Sequence, residues 1–200
     1  DHAEAAQRTL ARAAEATSLF SDRIGPLPYD DIEFVEVPLQ RAAGVEFTGL
    51  ILLSTAYTPR PFDPFFDILV SHEVAHQWFY AAVGNDPLSD AWLDEGPAVY
   101  LSNLFLRHVG RVEIAESESD RWSRAYSWAQ ETDPEETIAS STCAFSSSQT
   151  YVRYVYDGAA LFLESVARTM GEAAFFDALS AYYIAHVGEI GSATALLHEF

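Results

Sequence analysis

Lysine is absent from this 200-residue sequence, so all 11 basic residues are arginine; they face 30 acidic ones, and the formal net charge is −19. A field of that sign repels phosphate backbones and anionic lipid headgroups, so nucleic acid and membrane surfaces make poor partners, whereas cations and peptides with a free amine are drawn in. Cysteine occurs once, at Cys143, so an internal disulfide is excluded and no thiolate cluster holds a metal. The flanking Ser140, Ser141, Thr142, Ser146, Ser147 and Ser148 read as a loop, a poor setting for a nucleophile. Long apolar runs are also missing. No stretch approaches the roughly 20 residues of a membrane span, and the N-terminus lacks the basic, apolar, small-residue order of a signal peptide. A soluble span is expected, with its compartment unassigned. Repeats, heptads and Gly/Ser linkers are absent too, which leaves a single domain as the expectation for residues 1–200.

Hydrophobic periodicity divides what is there into a small sheet followed by helices. Residues 2–20 carry apolar positions at helical spacing, and Gly25-Pro26-Leu27-Pro28 stops the pattern. Residues 31–37 alternate polar with apolar and residues 45–54 are β-branched and apolar, so both are predicted strands, joined through a loop around Ala42 to Gly44. Helices are predicted over 66–83, 90–108, 112–131, 151–170 and 172–186, with Ser192 placed to cap a last one. The Ser/Thr-rich stretch 133–149 is predicted to be a long surface loop. This order implies an α+β fold with a cleft between the sheet edge and the helices.

One constellation carries chemistry. His72-Glu73-Val74-Ala75-His76 falls inside a predicted helix, where residues four apart lie one turn above each other, so both imidazoles can grip one ion. Glu73 sits about 100° round from His72, beside a metal-bound water rather than among the ligands, which is the place of a general base. A catalytic zinc needs a third protein ligand and an open position. Glu95, nineteen residues after His76 on the next predicted helix, is the candidate. Its neighbours Trp92 and Leu93 make an unpaired carboxylate there costly, and a cation removes that cost. Chance produces the five-residue pattern in about one chain of this length in a hundred or fewer. His2, His108, His186 and His198 have no such company and are expected to be surface or packing residues.

These residues resemble the gluzincin aminopeptidases, the family of aminopeptidase N and leukotriene hydrolase, whose signature is His-Glu-x-x-His, eighteen intervening residues and a Glu. The flanking runs Ala75-His76-Gln77-Trp78-Phe79 and Trp92-Leu93-Asp94-Glu95-Gly96 are similar to the family's, as is the turn Gly25-Pro26-Leu27-Pro28-Tyr29. The resemblance implies a thermolysin-like zincin catalytic domain, a Zn2+ cofactor, and hydrolysis of peptides with a free N-terminus. Val155-Tyr156-Asp157-Gly158-Ala159-Ala160 looks like the family's Tyr-x-x-Gly-Ala helix start, which implies that Tyr156 stabilises the tetrahedral intermediate, with Tyr151 and Tyr154 as close competitors. The family's Gly-x-Met-Glu-Asn strand matches Ala43-Gly44-Val45-Glu46-Phe47 at its Glu alone, which implies that Glu46 anchors the substrate amine while leaving an endopeptidase as the alternative. A zinc-stabilised binding module and a hydrolase of non-peptide substrates stay open as well. Pro97 departs from a regular helix and is expected to delay its start or kink it. The likeness covers the family's catalytic domain only, so the span is expected to be a fragment whose neighbouring β-domain and helical domain belong to the same full-length chain.

Overall fold

The computed structural model describes residues 2–200. Helix α1 (His2–Arg23) buries Ala5, Ala13, Ala16, Leu19 and Phe20 along one stripe. Strands β1 (Glu33–Val37), β2 (Gly44–Phe47) and β3 (Leu50–Ser54) form one sheet in the order β1-β3-β2, with β1 parallel and β2 antiparallel to the central β3. The predicted strand 45–54 is therefore a hairpin. It folds back at Thr48-Gly49, where Gly49 takes φ 71°, a value that costs a residue with no Cβ nothing. β2 is left as an edge strand, while Ile51 and Leu53 of β3 are buried.

Helix α2 (Pro64–Ala75) begins where Asp63 accepts a 2.9 Å bond from the Phe65 amide and Pro64 fills the first turn. It ends at His76, well short of the predicted residue 83. Apolar periodicity continues through Trp78 and Phe79, but tertiary bonds take the chain over: Trp78 Nε1 donates to the Gly25 carbonyl at 2.7 Å, and its ring packs edge-on against Phe20 at 5.8 Å. The turn that follows closes with Ala81 N–H to His76 O at 2.9 Å and Val83 N–H to Trp78 O at 2.9 Å.

Helix α3 (Trp92–His108) returns against α2. It starts at Trp92 and runs through Pro97, so the expected late start is not found; Pro97 lies near enough to the first turn that it removes a single helical bond. Helix α4 (Val112–Thr132) and a loop over 133–147 follow, and Ser147 caps α5 (Ser148–Tyr151) by accepting from the Thr150 amide at 3.1 Å. The chain then winds as a π-helix over Val152–Gly158 before returning to α-geometry in α6 (Ala159–Met170). Helices α7 (Glu172–His186) and α8 (Ala193–Glu199) close the fold, Ser192 capping the latter.

Two features fix α2 in place. Asp67 is wholly buried and receives Arg8 at 2.8 Å and Arg12 at 3.0 Å from α1, and Arg111 at 2.8 Å from the α3–α4 junction. Gln77, equally buried, accepts at its Oε1 from Tyr29 Oη at 2.7 Å and Gly49 N–H at 2.9 Å, and its Nε2 donates to Phe47 O at 3.2 Å. The end of the histidine-bearing helix is thereby stitched to the β2–β3 hairpin.

Candidate metal centre

Helical spacing does for the histidines what the sequence predicted. His72 and His76 face the same way, their rings 4.7 Å apart and nearly perpendicular, with the Nε2 atoms 3.1 Å from each other. Because the helix stops at His76, the Phe79 carbonyl turns back to lie 3.2 Å from His76 Nδ1, which fixes the ring and leaves Nε2 for an ion. Glu95, in the first turn of α3, brings Oε2 to 3.3 Å from His72 Nε2 and 3.4 Å from His76 Nε2. A helix N-terminus favours a carboxylate there.

The three atoms form a triangle with edges of 3.1 to 3.4 Å. Ligands of a tetrahedral ion at zinc distances lie about 3.3 Å apart. Glu95 Oε2 is buried and makes no hydrogen bond, although two ring nitrogens stand beside it. An orphaned carboxylate oxygen and two nitrogens aimed at one point suit a divalent cation, and these three residues are the one such group among the described residues. The other Glu95 oxygen, Oε1, accepts a hydrogen bond from Tyr156 Oη, so this tyrosine sits beside the ligands.

Charge in the metal-free chain follows the same geometry. Burial opposes ionisation of Glu95, but the two imidazoles outweigh it and hold the carboxyl well below its usual range. His76 is pulled down by burial and carried up, to about 10, by the adjacent Glu95 with help from Glu73 and Glu46. Burial pushes Glu73 up, the imidazoles oppose, and Glu46 and Glu95 push the same way. Its Oε2 has no partner, and Gly44 of β2 lies so close that a Cβ there would stand 2.7 Å from the Glu73 Cγ. Asp94, beside Glu95, is raised to about 7 by burial and by the Glu95 charge.

The remaining predicted residues separate. Tyr156 stacks on His72 with ring centroids 6.1 Å apart and an interplanar angle of 9°. Tyr151 lies edge-on to Tyr156 at 5.8 Å, whereas Tyr154 is buried and donates to the Asp133 carbonyl at 2.9 Å, which takes it out of the site. Glu46 makes no hydrogen bond or ion pair, and its charge acts on Glu73, His76, Tyr80 and Tyr151, which places it at the same centre on the edge strand. A cavity of 330 Å3 opens next to His72, Glu73 and Tyr156, walled by Leu69, Leu106 and Trp122. Cys143 is exposed in the 133–147 loop. Sequence reasoning passed over Gln77 and Tyr80; a polar residue in an apolar run, directly after the second histidine, was the signal available for Gln77.

The Peptidase family M1 domain matches residues 10–200. The chain belongs to peptidase family M1. Aminopeptidase 2 of Candida albicans is 31% identical to this M1 domain over an alignment 104 residues long, which covers 45% of this chain and 11% of that protein. An M1 zinc metallopeptidase from Deinococcus radiodurans superposes with a TM-score of 0.73 at 25% identity, covering 94% of this chain and 39% of its own. Yeast LTA4 hydrolase in complex with bestatin shares the fold, with a TM-score of 0.75 at 15% identity over 93% of this chain and 31% of its own. The M1 domain thus spans well under half the length of each.

Proposed function

We propose that this M1 domain is the catalytic domain of a zinc aminopeptidase that removes residues from the N-terminus of peptides. The observation that carries this reading is the convergence of His72 Nε2, His76 Nε2 and the orphaned Glu95 Oε2 on one point, with the buried carboxylate of Glu73 beside it. The Deinococcus relative is described as an M1 zinc metallopeptidase and the Candida relative as an aminopeptidase. A two-domain M1 zinc metallopeptidase mutant, 26% identical, is described as bound to the amino acid L-tryptophan.

Zinc held by His72, His76 and Glu95 would supply Lewis-acid polarisation of the scissile carbonyl and acidify water toward pH 7. Glu73, whose carboxyl burial pushes above its ordinary range, takes a proton from the attacking water and delivers it to the leaving amine. Tyr156 Oη, already donating beside the ligands, turns its hydrogen bond to the developing oxyanion. Glu46, unpaired on the edge strand, holds the free amine, and β2 adds the substrate backbone as a further strand. Other domains of the same full-length chain are assigned the remaining walls of the cleft.

The test is hydrolysis by the natural full-length protein, loaded with zinc. Amino-acid arylamides are expected to be cleaved and N-blocked peptides refused; the reverse result makes the enzyme an endopeptidase and Glu46 a bystander. Glu73→Gln is expected to retain the metal and lose about a thousandfold in kcat. Full activity in that variant removes Glu73 from the mechanism.

A further inference from the structure

Tyr80 stands out on the backbone. Among the described residues it is the one non-glycine with positive φ, at 122°, a conformation in which an L side chain is strained. Such strain persists where the surrounding structure imposes it and clusters at functional sites. Here the imposition is visible: the chain leaves α2 at His76, Gln77 and Trp78 are tied to the hairpin and to Gly25, and the Tyr80 amide is turned back to the Val83 carbonyl at 2.9 Å.

The side chain that this backbone projects faces the centre. Its ring lies edge-on to the His76 ring, with centroids 6.3 Å apart. The carboxylates of Glu46 and Asp94 act on its hydroxyl, which makes no hydrogen bond within the protein and stays partly accessible. The 330 Å3 cavity touches His72, Glu73 and Tyr156 but neither Glu46 nor Tyr80, so the two sides of the metal centre differ. Glu46 acts on Tyr80, and both lie outside the lining of that cavity.

We propose that Tyr80 is a specificity-determining residue: its ring, carried on a strained backbone between His76 and Glu46, walls the subsite for the first residue and restricts it to small side chains such as alanine. This rests on the aminopeptidase reading for the direction of the substrate. A glycine meets the demand for positive φ without strain, and tyrosine there adds bulk and an unpartnered hydroxyl next to the amine anchor. One extra methylene in a closed pocket already discriminates by about tenfold or more, so a whole ring is ample.

The experiment compares the zinc-loaded full-length protein with Tyr80→Gly and Tyr80→Ala. Two ratios are read: kcat/KM for leucine over alanine arylamide, and the affinity for L-leucine amide over L-alanine amide by calorimetry. The parent is expected to favour alanine in both, and both variants are expected to raise each ratio about tenfold. Thermal melting shows that the variants are folded, and Tyr80→Gly, freed of strain, is expected to melt no lower than Tyr80→Ala. Ratios unchanged within twofold in both variants overturn the inference, as does a parent that favours leucine. If neither arylamide is cleaved but the amide ratio still shifts, the inference stands and the hydrolytic reading fails.

Discussion

At the scale of single residues the site depends on approaches closer than sequence spacing reveals. The shared face of His72 and His76 was legible because an α-helix converts spacing into direction, and a pair four apart needs no tertiary information to share a face; Glu95 joins them only because α3 returns against α2. Gly44 was not legible in this way. Its relevance is the Glu73 carboxylate lying where a Cβ would go, which depends on how β2 meets α2. Gly44→Ala is therefore expected to displace Glu73 by a fraction of an ångström to an ångström and to cost about a hundredfold in kcat, with zinc affinity little changed because the three ligands do not move. Steady-state kinetics together with a metal titration read the two effects apart. A loss of zinc instead would show that Gly44 supports the helix rather than the base. Tyr80 was equally hidden, since a positive φ at tyrosine leaves no trace in composition or periodicity.

Among elements, the helical half was legible and its breaks were not. Helix α7 follows its predicted limits, and α1 and α4 overrun theirs by a few residues at most. Periodicity could not reveal that the predicted helix 66–83 stops at Ala75, because apolar spacing continues through Trp78 and Phe79 while the bonds that end the helix, from Trp78 and Gln77, reach Gly25 and the hairpin. Nor could it reveal the π-helix at Val152–Gly158, whose wider turn sets Tyr156 against His72 and Tyr154 away from it. The hairpin hid inside one apolar run for a related reason: β2 and β3 are both β-forming, and only Gly49 marks the reversal. What keeps α2 at its angle is charge rather than periodicity. Asp67 is buried under three guanidinium groups that are 16 to 25% exposed, and removing it leaves them facing one another. Breaking a buried ion pair costs about 3–5 kcal/mol, and since these arginines keep some water the expected loss for Asp67→Ala is about 3 kcal/mol. Urea unfolding of the metal-free chain measures it, and a loss below about 1 kcal/mol would mean that packing against α1 and α3 suffices.

For the whole molecule, the net charge of −19 and the coupling of His76 to Glu95 make metal uptake a proton exchange. In the metal-free chain His76 keeps its proton up to about 10, against an ordinary value of 6.5. A folded-state pKa raised in this way contributes stability that is fully present below pH 6.5 and is lost as pH rises through about 10. A metal needs the bare imidazole, so each ion bound near neutrality must expel that proton. Apparent zinc affinity is then expected to climb about tenfold per pH unit from about pH 6.5 to about 8.5, where an unperturbed histidine would already have levelled off. Calorimetric titration of the metal-free chain with zinc, repeated in buffers of different ionisation enthalpy, counts the protons; one per ion is expected at pH 7.5. A count of zero would mean that His76 is neutral before the metal arrives and that the Glu95 charge is balanced elsewhere. The same titration in added salt separates the local exchange from the global field: screening weakens the attraction of the acidic surface for the cation, while the short-range exchange between His76 and Glu95 is left in place.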